Sequence, residues 1–342
     1  MNRPILVTGS GALNLDIIYQ VPSLKGIGVG GRPLLPGREF WGDRRDAGLI
    51  LEQLHERGRL VAREGGGSSA NTITVLARLG ARFGIETAFI GSVGDDPEGD
   101  YLLDSMQGVD LSGVVRRGNT SICIVVLDDE TMDRAMFVAP GEISIDFDSK
   151  SLQGIVEETG LLHFSSLARA DGPAMQKALL DMTNPAAIIS SDPGEVYTSR
   201  GLGAIRPLLE MSHLLFSTDE EERMLFEQAP DPASPLDILR SPHGHIDLMD
   251  RLAIELPVYV RKQGRLGAGL QTPGEELFLP ALKVPEIVDN TGAGDAFDAG
   301  FLLGLMIGRN GKAALELGHR VAALSLSGYG RQWMESLEDF DV

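Results

Sequence analysis

The sequence has little of what stabilises secreted proteins or places a chain in a membrane. Among its 342 residues there is one cysteine, Cys123, so no disulfide can form within the chain. Cys123 lies in the apolar run 121–127, where we expect a small hydrophobic side chain on a strand. No stretch reaches the roughly 20 apolar residues that span a bilayer, and the apolar run near the start is too short for a signal peptide. These absences predict a cytoplasmic protein without a membrane segment.

Basic residues are also scarce. Thirty Lys and Arg stand against 49 Asp and Glu, which gives a formal net charge of −19. A field of this sign repels nucleic acids and anionic membranes, and no basic stripe offsets it. It does not exclude a nucleotide, which needs only local donors and a metal ion. We therefore expect a small-molecule ligand and no nucleic acid partner.

Two common nucleotide-binding signatures are missing. The segment Gly26–Gly31 satisfies G-x-G-x-x-G literally, but Arg32 and Pro33 follow it where a dinucleotide site requires a helix. The sequence contains no G-x-x-x-x-G-K-[ST], which excludes a P-loop enzyme.

Short apolar runs alternate with amphipathic stretches through most of the chain. This pattern predicts an α/β fold in which a mostly parallel central sheet carries helices on both faces. The length fits one domain over residues 1–342. The clearest predicted strands are Ile5–Thr8, Leu13–Val21, Thr87–Ile90, Leu161–Phe164, His213–Phe216, Val258–Val260 and Val284–Val288. The clearest predicted helices are Ala47–Arg63, Asn71–Leu79, Ala296–Ile307 and Lys312–Ser327.

The strongest local feature is Asp289-Asn290-Thr291-Gly292-Ala293-Gly294-Asp295, between a strand-like run and a predicted helix. Small residues at a helix start let successive backbone N–H groups point at one spot, which also feels the positive end of the helix dipole. A carboxylate there can take the proton of an attacking alcohol. The alternative is that Asp295 merely caps the helix.

A second feature is Gly65–Thr72, at the start of the predicted helix Asn71–Leu79. Its glycines would let the backbone approach a ligand, and Asn71 offers both a donor and an acceptor. Upstream, Asn14 and Asp16 are two residues apart on a predicted strand and so face the same way. Taken alone, this segment fits an ordinary helix start equally well.

In this order, the two motifs resemble the signatures of the ribokinase-like (PfkB) carbohydrate kinase family, over essentially the whole chain. The resemblance implies a ribokinase-like α/β fold with a small β lid from about 17–64 and 114–141. Intermediate matches are Asn14-x-Asp16, Gly91-x-Val93-Gly94-Asp95-Asp96-x-x-Gly99 and Lys262-x-Gly264-x-x-Gly267.

The resemblance assigns roles to residues at matching positions. It implies Asp295 as the catalytic base and an anion hole formed by the N–H groups around Gly292, Ala293 and Gly294. Sugar hydroxyls are expected at Asn14, Asp16, Gly67 and Asn71. Residues expected to border ATP are Lys262, Gly264, Gly267, Thr218 and His319, of which His319 could instead be a packing residue.

Metal sites are implied as well. Glu221 keeps the acidic position of the family's Asn-x-x-Glu element for Mg²⁺, although Thr218 replaces the Asn, and Asp192 could lend a further carboxylate. Asp289 and the backbone at Thr291 match a site for a monovalent cation such as K⁺ in many relatives.

The function implied is ATP-dependent phosphorylation of the primary hydroxyl of a neutral sugar, because Gly67-Ser68-Ser69 is uncharged. Ser166 stands where ribokinase itself has a sugar-contacting Glu, which argues against identity with ribokinase. The inserted helix Ala47–Arg63 resembles adenosine kinases and leaves a nucleoside as the alternative. A silent ligand-binding regulator is a third hypothesis, which Thr218 favours slightly. An acidic or phosphorylated substrate would require Arg63, Arg134 or Arg169 to point inward. The resemblance to the family also allows a homodimer.

Overall fold

The computed structural model describes residues 4–226, 234–241, 248 and 251–342. Its strands are β1 (Ile5–Ser10), β2 (Asn14–Val21), β3 (Gly28–Val29), β4 (Arg32–Pro33), β5 (Glu39–Trp41), β6 (Arg59–Gly66), β7 (Ile85–Val93), β8 (Val109–Arg116), β9 (Ser121–Asp128), β10 (Asp133–Ala139), β11 (Thr159–Ser165), β12 (Ile188–Asp192), β13 (Leu214–Thr218), β14 (Val258–Lys262), β15 (Gly267–Gln271) and β16 (Glu276–Pro280). Its α-helices are α1 (Arg44–Arg57), α2 (Ser68–Gly80), α3 (Pro97–Ser105), α4 (Lys150–Glu158), α5 (Gly172–Met182), α6 (Gly194–Thr198), α7 (Leu202–Leu209), α8 (Asp219–Phe226), α9 (Pro235–Ile238), α10 (Ala293–Met306) and α11 (Gly311–Ser325).

The large sheet has the order β16-β15-β14-β13-β12-β11-β1-β7-β8. Neighbours from β14 to β8 run parallel, whereas β15 and β16 add an antiparallel edge. Alternate strand residues enter two different hydrophobic clusters: Leu161 lies in the one that includes α10 and α11, and Leu162 in the one that includes α5 and α7. Helices therefore cover both faces, which confirms the predicted α/β class, and the carboxyl ends of the parallel strands meet at one edge.

A second sheet, here called the small sheet, has the order β5-β10-β9-β2-β6. Along β2 the side chains alternate between its two faces. Ile17 joins the core cluster that contains Ile50 and Leu54 of α1, whereas Ile18 packs on the opposite face with Ala62 and Val125. Because of this alternation, Asn14 and Asp16 share the face that lies away from α1.

The predicted helix Ala47–Arg63 has different ends in the structure. It begins at Arg44, because Asp43 and Asp46 form a capping box at its start. It ends at Arg57, since Gly58 is extended and the following residues form β6, which pairs with the open edge of β2. The pairing of β6 satisfies backbone groups through distant residues, which the local apolar spacing does not reveal.

The strand expected at Val284–Val288 is absent, and the adjacent segment Glu276–Pro280 forms β16 instead. Pro285 has no N–H to donate to a sheet, and Ile287 is 60% exposed. Among the described helices, none combines the length and the apolar character needed to cross a bilayer.

Candidate active site

The candidate site lies at the edge where the parallel strands end. Asp192 is the last residue of β12, Thr218 of β13 and Lys262 of β14. The first turn of α10 lies at the same edge. Lys262 Nζ, at the end of β14, is so close to this turn that a side-chain carbon added at Gly294 would lie 3.3 Å from it. The sheet thus brings predicted nucleotide-binding residues next to the predicted anion hole.

The start of α10 has the geometry of an anion site. Gly292 precedes the helix with a φ of 75°, a left-handed conformation that favours glycine, and no side chain caps the helix there. Ala293 and Gly294 form the first turn and are partly exposed. The backbone N–H groups of a first helical turn lack partners within the helix and carry its positive dipole end.

Asp295 occupies the same turn and is buried, with 8% of its surface exposed. Its Oδ2 accepts a hydrogen bond of 2.8 Å from Asn71 Nδ2, and Thr72 Oγ1 donates to its backbone oxygen at 3.2 Å. The carboxylate and the backbone oxygen of Asp295 therefore both join α10 to α2, which helix capping alone does not explain. Burial raises the pKa of Asp295 to about 6, against the lowering effect of the Asn71 hydrogen bond.

This pKa predicts how activity depends on pH. A general base must be ionised, and a pKa of about 6 means that Asp295 gains a proton as the pH falls through that value. We expect kcat/KM to be nearly constant above neutral pH and to fall about tenfold for each unit below about pH 6. A pH–rate profile with an acid limb near the ordinary value of an exposed Asp would contradict the burial argument.

Asn14 and Asp16 form a pair at the start of β2, with a hydrogen bond of 2.5 Å from Asn14 Nδ2 to Asp16 Oδ1. The pair packs directly on Gly66, where an added side-chain carbon would lie 2.4 Å from Asn14 Nδ2. Gly67 has a φ of 106°, and a side chain there would meet Ala12 O at 2.1 Å. The first glycine motif thus lets the backbone approach this pair closely. Burial raises the pKa of Asp16 to about 7, partly offset by the nearby Arg331.

Lys262 lies in a buried ionic cluster under the first turn of α10. Its Nζ is 2.7 Å from Asp192 Oδ2 and 3.2 Å from Asp298 Oδ2, and only 11% of its side chain is exposed. Burial opposes its charge, but the two carboxylates outweigh this and raise the pKa of Lys262. Burial and Asp192 raise the pKa of Asp298 well above its usual range. The sequence analysis missed Asp298, although it follows Asp295 by three residues and so lies on the same side of α10.

Thr218 and Glu221 form a reciprocal pair at the start of α8. Thr218 N–H donates to Glu221 Oε2 at 2.7 Å, and Glu221 N–H donates to Thr218 Oγ1 at 3.2 Å. This arrangement is a capping box, in which Thr is one of the usual first residues. Burial raises the pKa of Glu221, with a further contribution from the negative charge of Asp192. Among the described residues, no three His, Cys, Asp or Glu side chains are grouped so as to hold a metal ion by themselves.

Asp289 ties the turn before α10 to the end of the chain. Its Oδ1 accepts from Thr291 N–H at 2.9 Å and its Oδ2 from Gly330 N–H at 3.3 Å. From the small sheet, Arg134 Nη1 reaches the same turn, 3.4 Å from Asn290 Oδ1 and 3.3 Å from Thr291 Oγ1.

The three arginines considered for an acidic substrate differ in placement. Arg134 is the one that contacts the turn before α10. Arg63 lies 3.9 Å from Glu98, and Arg169 pairs with Asp171. Ser166, at the position of the sugar-contacting Glu, accepts the Ala12 N–H through its backbone oxygen.

The residues predicted to border ATP lie on the antiparallel edge. Gly264 has a φ of 53°, a left-handed conformation that favours glycine. Gly267 has a φ of 132°, and a side chain there would meet Leu279 O at 2.1 Å, so this position requires glycine. His319 is 8% exposed and packs edge-on against Phe297, with ring centroids 5.2 Å apart. Burial lowers the pKa of His319. Four apolar side chains along this edge and the segment after it are at least half exposed: Leu266, Phe278, Leu282 and Ile287.

The sequence analysis also missed Arg331. It follows Gly330 in the final segment and is 7% exposed. Arg331 Nε donates to Asn71 Oδ1 at 3.0 Å, on the other side of the amide from Asp295. No motif marks this residue, and its sequence distance from Asn71 hides the contact.

Comparison with known proteins identifies the family of this chain. The sequence model of the pfkB family of carbohydrate kinases matches residues 43–336. A protein of Archaeoglobus fulgidus described as an uncharacterized sugar kinase is 30% identical over 73% of this chain and 95% of its own length. The ATP-dependent ribose-1-phosphate kinase of Halopiger xanaduensis is 28% identical over 91% of this chain and 96% of its own.

Solved structures of low sequence identity share the fold. The adenosine kinase of Sinorhizobium meliloti superposes with a TM-score of 0.74 at 20% identity, with 98% of each chain covered. The ribokinase of Arabidopsis thaliana, complexed with ribose and ATP, superposes with a TM-score of 0.66 at 18% identity, covering 99% of this chain and all of that one. The ribokinase-like fold predicted from the motifs is confirmed. The chain belongs to the pfkB family of carbohydrate kinases and is an ATP-dependent sugar or nucleoside kinase.

Proposed function

We propose that this kinase phosphorylates the primary hydroxyl of a neutral sugar and that Asp295 is its catalytic base. The observation that carries the proposal is the position of the Asp295 carboxylate. It is buried beside the dipole end of α10 and is hydrogen-bonded to Asn71 of the first glycine motif. In this position Asp295 can accept a proton beside Asn71, which is expected to hold the sugar, and beside Gly292, in the turn expected to hold the transferred phosphoryl group.

The chemistry follows from these positions. As the substrate oxygen forms its bond to the γ-phosphorus, the bond from that phosphorus to the leaving oxygen of ADP breaks, and the hydroxyl proton passes to Asp295. The N–H groups around Gly292, Ala293 and Gly294 stabilise the negative charge on the transferred group. Lys262, immediately under Gly294, adds a fixed positive charge to the same region.

ATP and its metal ion fit the remaining residues. The exposed side chains of Leu266 and Leu282 suit the adenine ring, since Ala281 N–H donates to Leu266 O and brings the two segments together. His319 packs against Phe297 of α10. Mg²⁺ usually retains waters and takes one or two carboxylates besides the phosphates. Glu221 fits this role, because the Thr218 N–H bond uses one of its two carboxylate oxygens. Asp289 and the Thr291 carbonyl are the proposed ligands of a monovalent cation, which would brace the turn before α10.

We further propose that the chain acts as one domain, 1–342, with the small sheet as a lid formed by about 17–64 and 114–141. Residues 114–116 belong to β8 of the large sheet, so the second lid segment effectively starts with β9. Arg134 supports the closing role, since it extends from β10 to Thr291. Closure would exclude water, which otherwise competes as an acceptor of the phosphoryl group.

The charges around the expected sugar position favour a neutral substrate. Asp16, Asp289 and Asp295 interact electrostatically there, and an anionic substrate would add to their repulsion. Of the two arginines nearby, Arg134 contacts the turn before α10, and Arg331 is only 7% exposed and donates through Nε to Asn71. A nucleoside is the alternative, favoured by α1, which covers the outer face of the small sheet as the inserted helix of adenosine kinases would.

A substrate panel tests this proposal. We expect ATP consumption with one or more neutral sugars and at least about tenfold lower kcat/KM with ribose 1-phosphate, a sugar acid or adenosine. Product analysis should place the phosphate on a primary hydroxyl. Preferred turnover of ribose 1-phosphate would instead assign Arg134 to a second phosphate, and turnover of nucleosides alone would support the alternative. Absence of turnover with every class would favour the silent regulator.

A further inference from the structure

Arg331 is an arginine buried at the candidate site that the proposed mechanism does not use. Arginine is rarely this buried unless it is paired. Its Nε donates to Asn71 Oδ1 at 3.0 Å and its Nη1 to Ser105 Oγ at 2.7 Å. Its Nη2 is buried and has no hydrogen-bond partner among the described residues. A donor left unpaired in this way is costly, which indicates that the placement of the guanidinium serves something other than stability.

The backbone around Arg331 is shaped to admit it. A side-chain carbon at Gly65 would lie 2.6 Å from Arg331 Nη1 and 2.8 Å from its Cζ. Gly330 has a φ of 51° and lies close to Glu64. A side-chain carbon added at Gly330 would lie 2.3 Å from Glu64 Cγ. The first residue of the Gly65–Gly67 run thus provides space for the guanidinium, just as Gly66 does for Asn14 and Asp16.

The hydrogen bonds of Asn71 give this placement a consequence for the catalytic base. An asparagine amide can turn over and exchange its oxygen and nitrogen with little change in shape. The guanidinium of Arg331 has donors only, so the Asn71 oxygen must face it. The Asn71 nitrogen then faces Asp295, to which it donates at 2.8 Å. Arg331 therefore fixes which atom of Asn71 the base meets.

The positive charge of Arg331 also helps to keep Asp295 ready to act as a base. The groups facing Arg331 are Asp16 from β2, Glu64 from β6, Tyr101 from α3 and Asp295 from α10. Burial lowers the pKa of Arg331 to about 10, which still leaves it positive at neutral pH. A cation beside these carboxylates favours their ionised forms.

We propose that Arg331 is a positioning residue for phosphoryl transfer: it orients the Asn71 amide toward Asp295 and keeps that base ionised. The inference rests on the proposed role of Asp295. Arg331 acts through Asn71 and through its charge and forms no bond to the reacting atoms.

The test compares Arg331→Met with Arg78→Met. Arg78 is a matched control: it is a partly buried arginine on α2, it donates to Met334 O at 3.1 Å, and its Nε also lacks a partner among the described residues. We expect Arg331→Met to lower kcat about 10- to 100-fold with a smaller change in KM, because the misplaced base acts in the transition state. The acid limb of the pH–rate profile of Arg331→Met should move to higher pH by roughly half a unit or more. Arg78→Met should change neither kcat nor the position of the acid limb.

Two further variants separate charge from geometry and guard against misfolding of Arg331→Met. Arg331→Lys keeps the cation but loses the planar fork, so we expect the acid limb to stay near its original pH while kcat falls. Ser105→Ala removes the second hydrogen bond of the guanidinium, and a decrease in kcat of about two- to tenfold is expected if that bond sets its orientation. A purely structural role would lower stability in all these variants without moving the pH profile.

A titration without catalysis keeps this inference separate from the proposed function. The ¹³Cγ resonance of Asp295, assigned by its loss in Asp295→Asn, reports the protonation of the carboxylate directly. An upward shift of its pKa in Arg331→Met, with none in Arg78→Met, would support the inference even if no substrate turned over. An unchanged Asp295 titration would overturn the electrostatic role, and an unchanged kcat in both Arg331 variants of an active enzyme would overturn the positioning role.

Discussion

Asp295→Asn is expected to lower kcat about 10³-fold while substrate affinity changes little. The amide keeps the shape of the carboxylate and can still accept a hydrogen bond from Asn71, so the pocket should hold its geometry. It cannot take a proton, which removes the contribution of general base catalysis, typically 10²- to 10⁴-fold. Steady-state kinetics gives kcat, and calorimetric titration with the sugar identified by the panel gives the affinity.

The control for this variant lies three residues further along α10. Asp298 lies in the buried ionic cluster, where burial and Asp192 raise its pKa well above its usual range and its Oδ2 accepts from Lys262 Nζ. An asparagine keeps the shape of this side chain, and its oxygen can still accept from Lys262, so Asp298→Asn should stay within about tenfold of the original kcat. Equal losses in the two variants would show that Asp295 has no special role, and unchanged turnover in Asp295→Asn would refute it as the base.

The parts of the site that were predictable are those whose geometry is local. Gly292 has a left-handed conformation at the start of a helix, and a side-chain carbon added at Gly67 would lie within 2.1 Å of Ala12 O. Such positions leave a direct mark on the sequence, because other residues are excluded. The motifs around Asp295 and Asn71 therefore indicated where a ligand would be held before any tertiary contact was known.

Contacts between distant segments left no such mark. Arg331 and Asn71 are far apart in sequence, and neither the motif search nor the helical periodicity connects them. The pairing of β6 with β2 likewise ended the predicted helix early, because a strand edge supplied by residues 14–20 competes with helix formation. Tertiary partners override local preference at both places.

Thr218 shows a different limit. Its substitution for the family's Asn was a reason to question nucleotide binding, since the residue type alone suggests a lost ligand. In the structure Thr218 caps α8 and receives the Glu221 N–H, a role that needs only a side-chain oxygen. The replacement of the family's Asn by Thr218 therefore leaves Glu221 in place. It weakens the case for a ligand-binding regulator without catalytic activity.

Lys262→Met is expected to destabilise the protein by about 3–5 kcal/mol at neutral pH. Lys262 is the cation between Asp192 and Asp298, and its removal leaves Asp192 ionised and buried without a partner. The loss of positive charge beside Gly294 should also lower kcat. The free energy of unfolding from urea titration measures the first effect, and steady-state kinetics of the remaining folded protein measures the second.

The pH dependence of the loss of stability in Lys262→Met identifies the cause of that loss. Burial opposes the charge of Asp192, but Lys262 outweighs it and holds the pKa of Asp192 below its ordinary value. A carboxylate with a lowered folded-state pKa contributes stability that is fully present above its unfolded pKa and is lost as the pH falls through the folded value. The difference in unfolding free energy between the original protein and Lys262→Met should therefore shrink in acid. Adding Asp192→Asn to Lys262→Met should recover part of the stability at neutral pH, since one of the two carboxylates that lost their cation is then neutral, but should not recover kcat. A double variant that is no more stable than Lys262→Met would show that packing of the lysine chain, rather than its charge, supports this edge of the sheet.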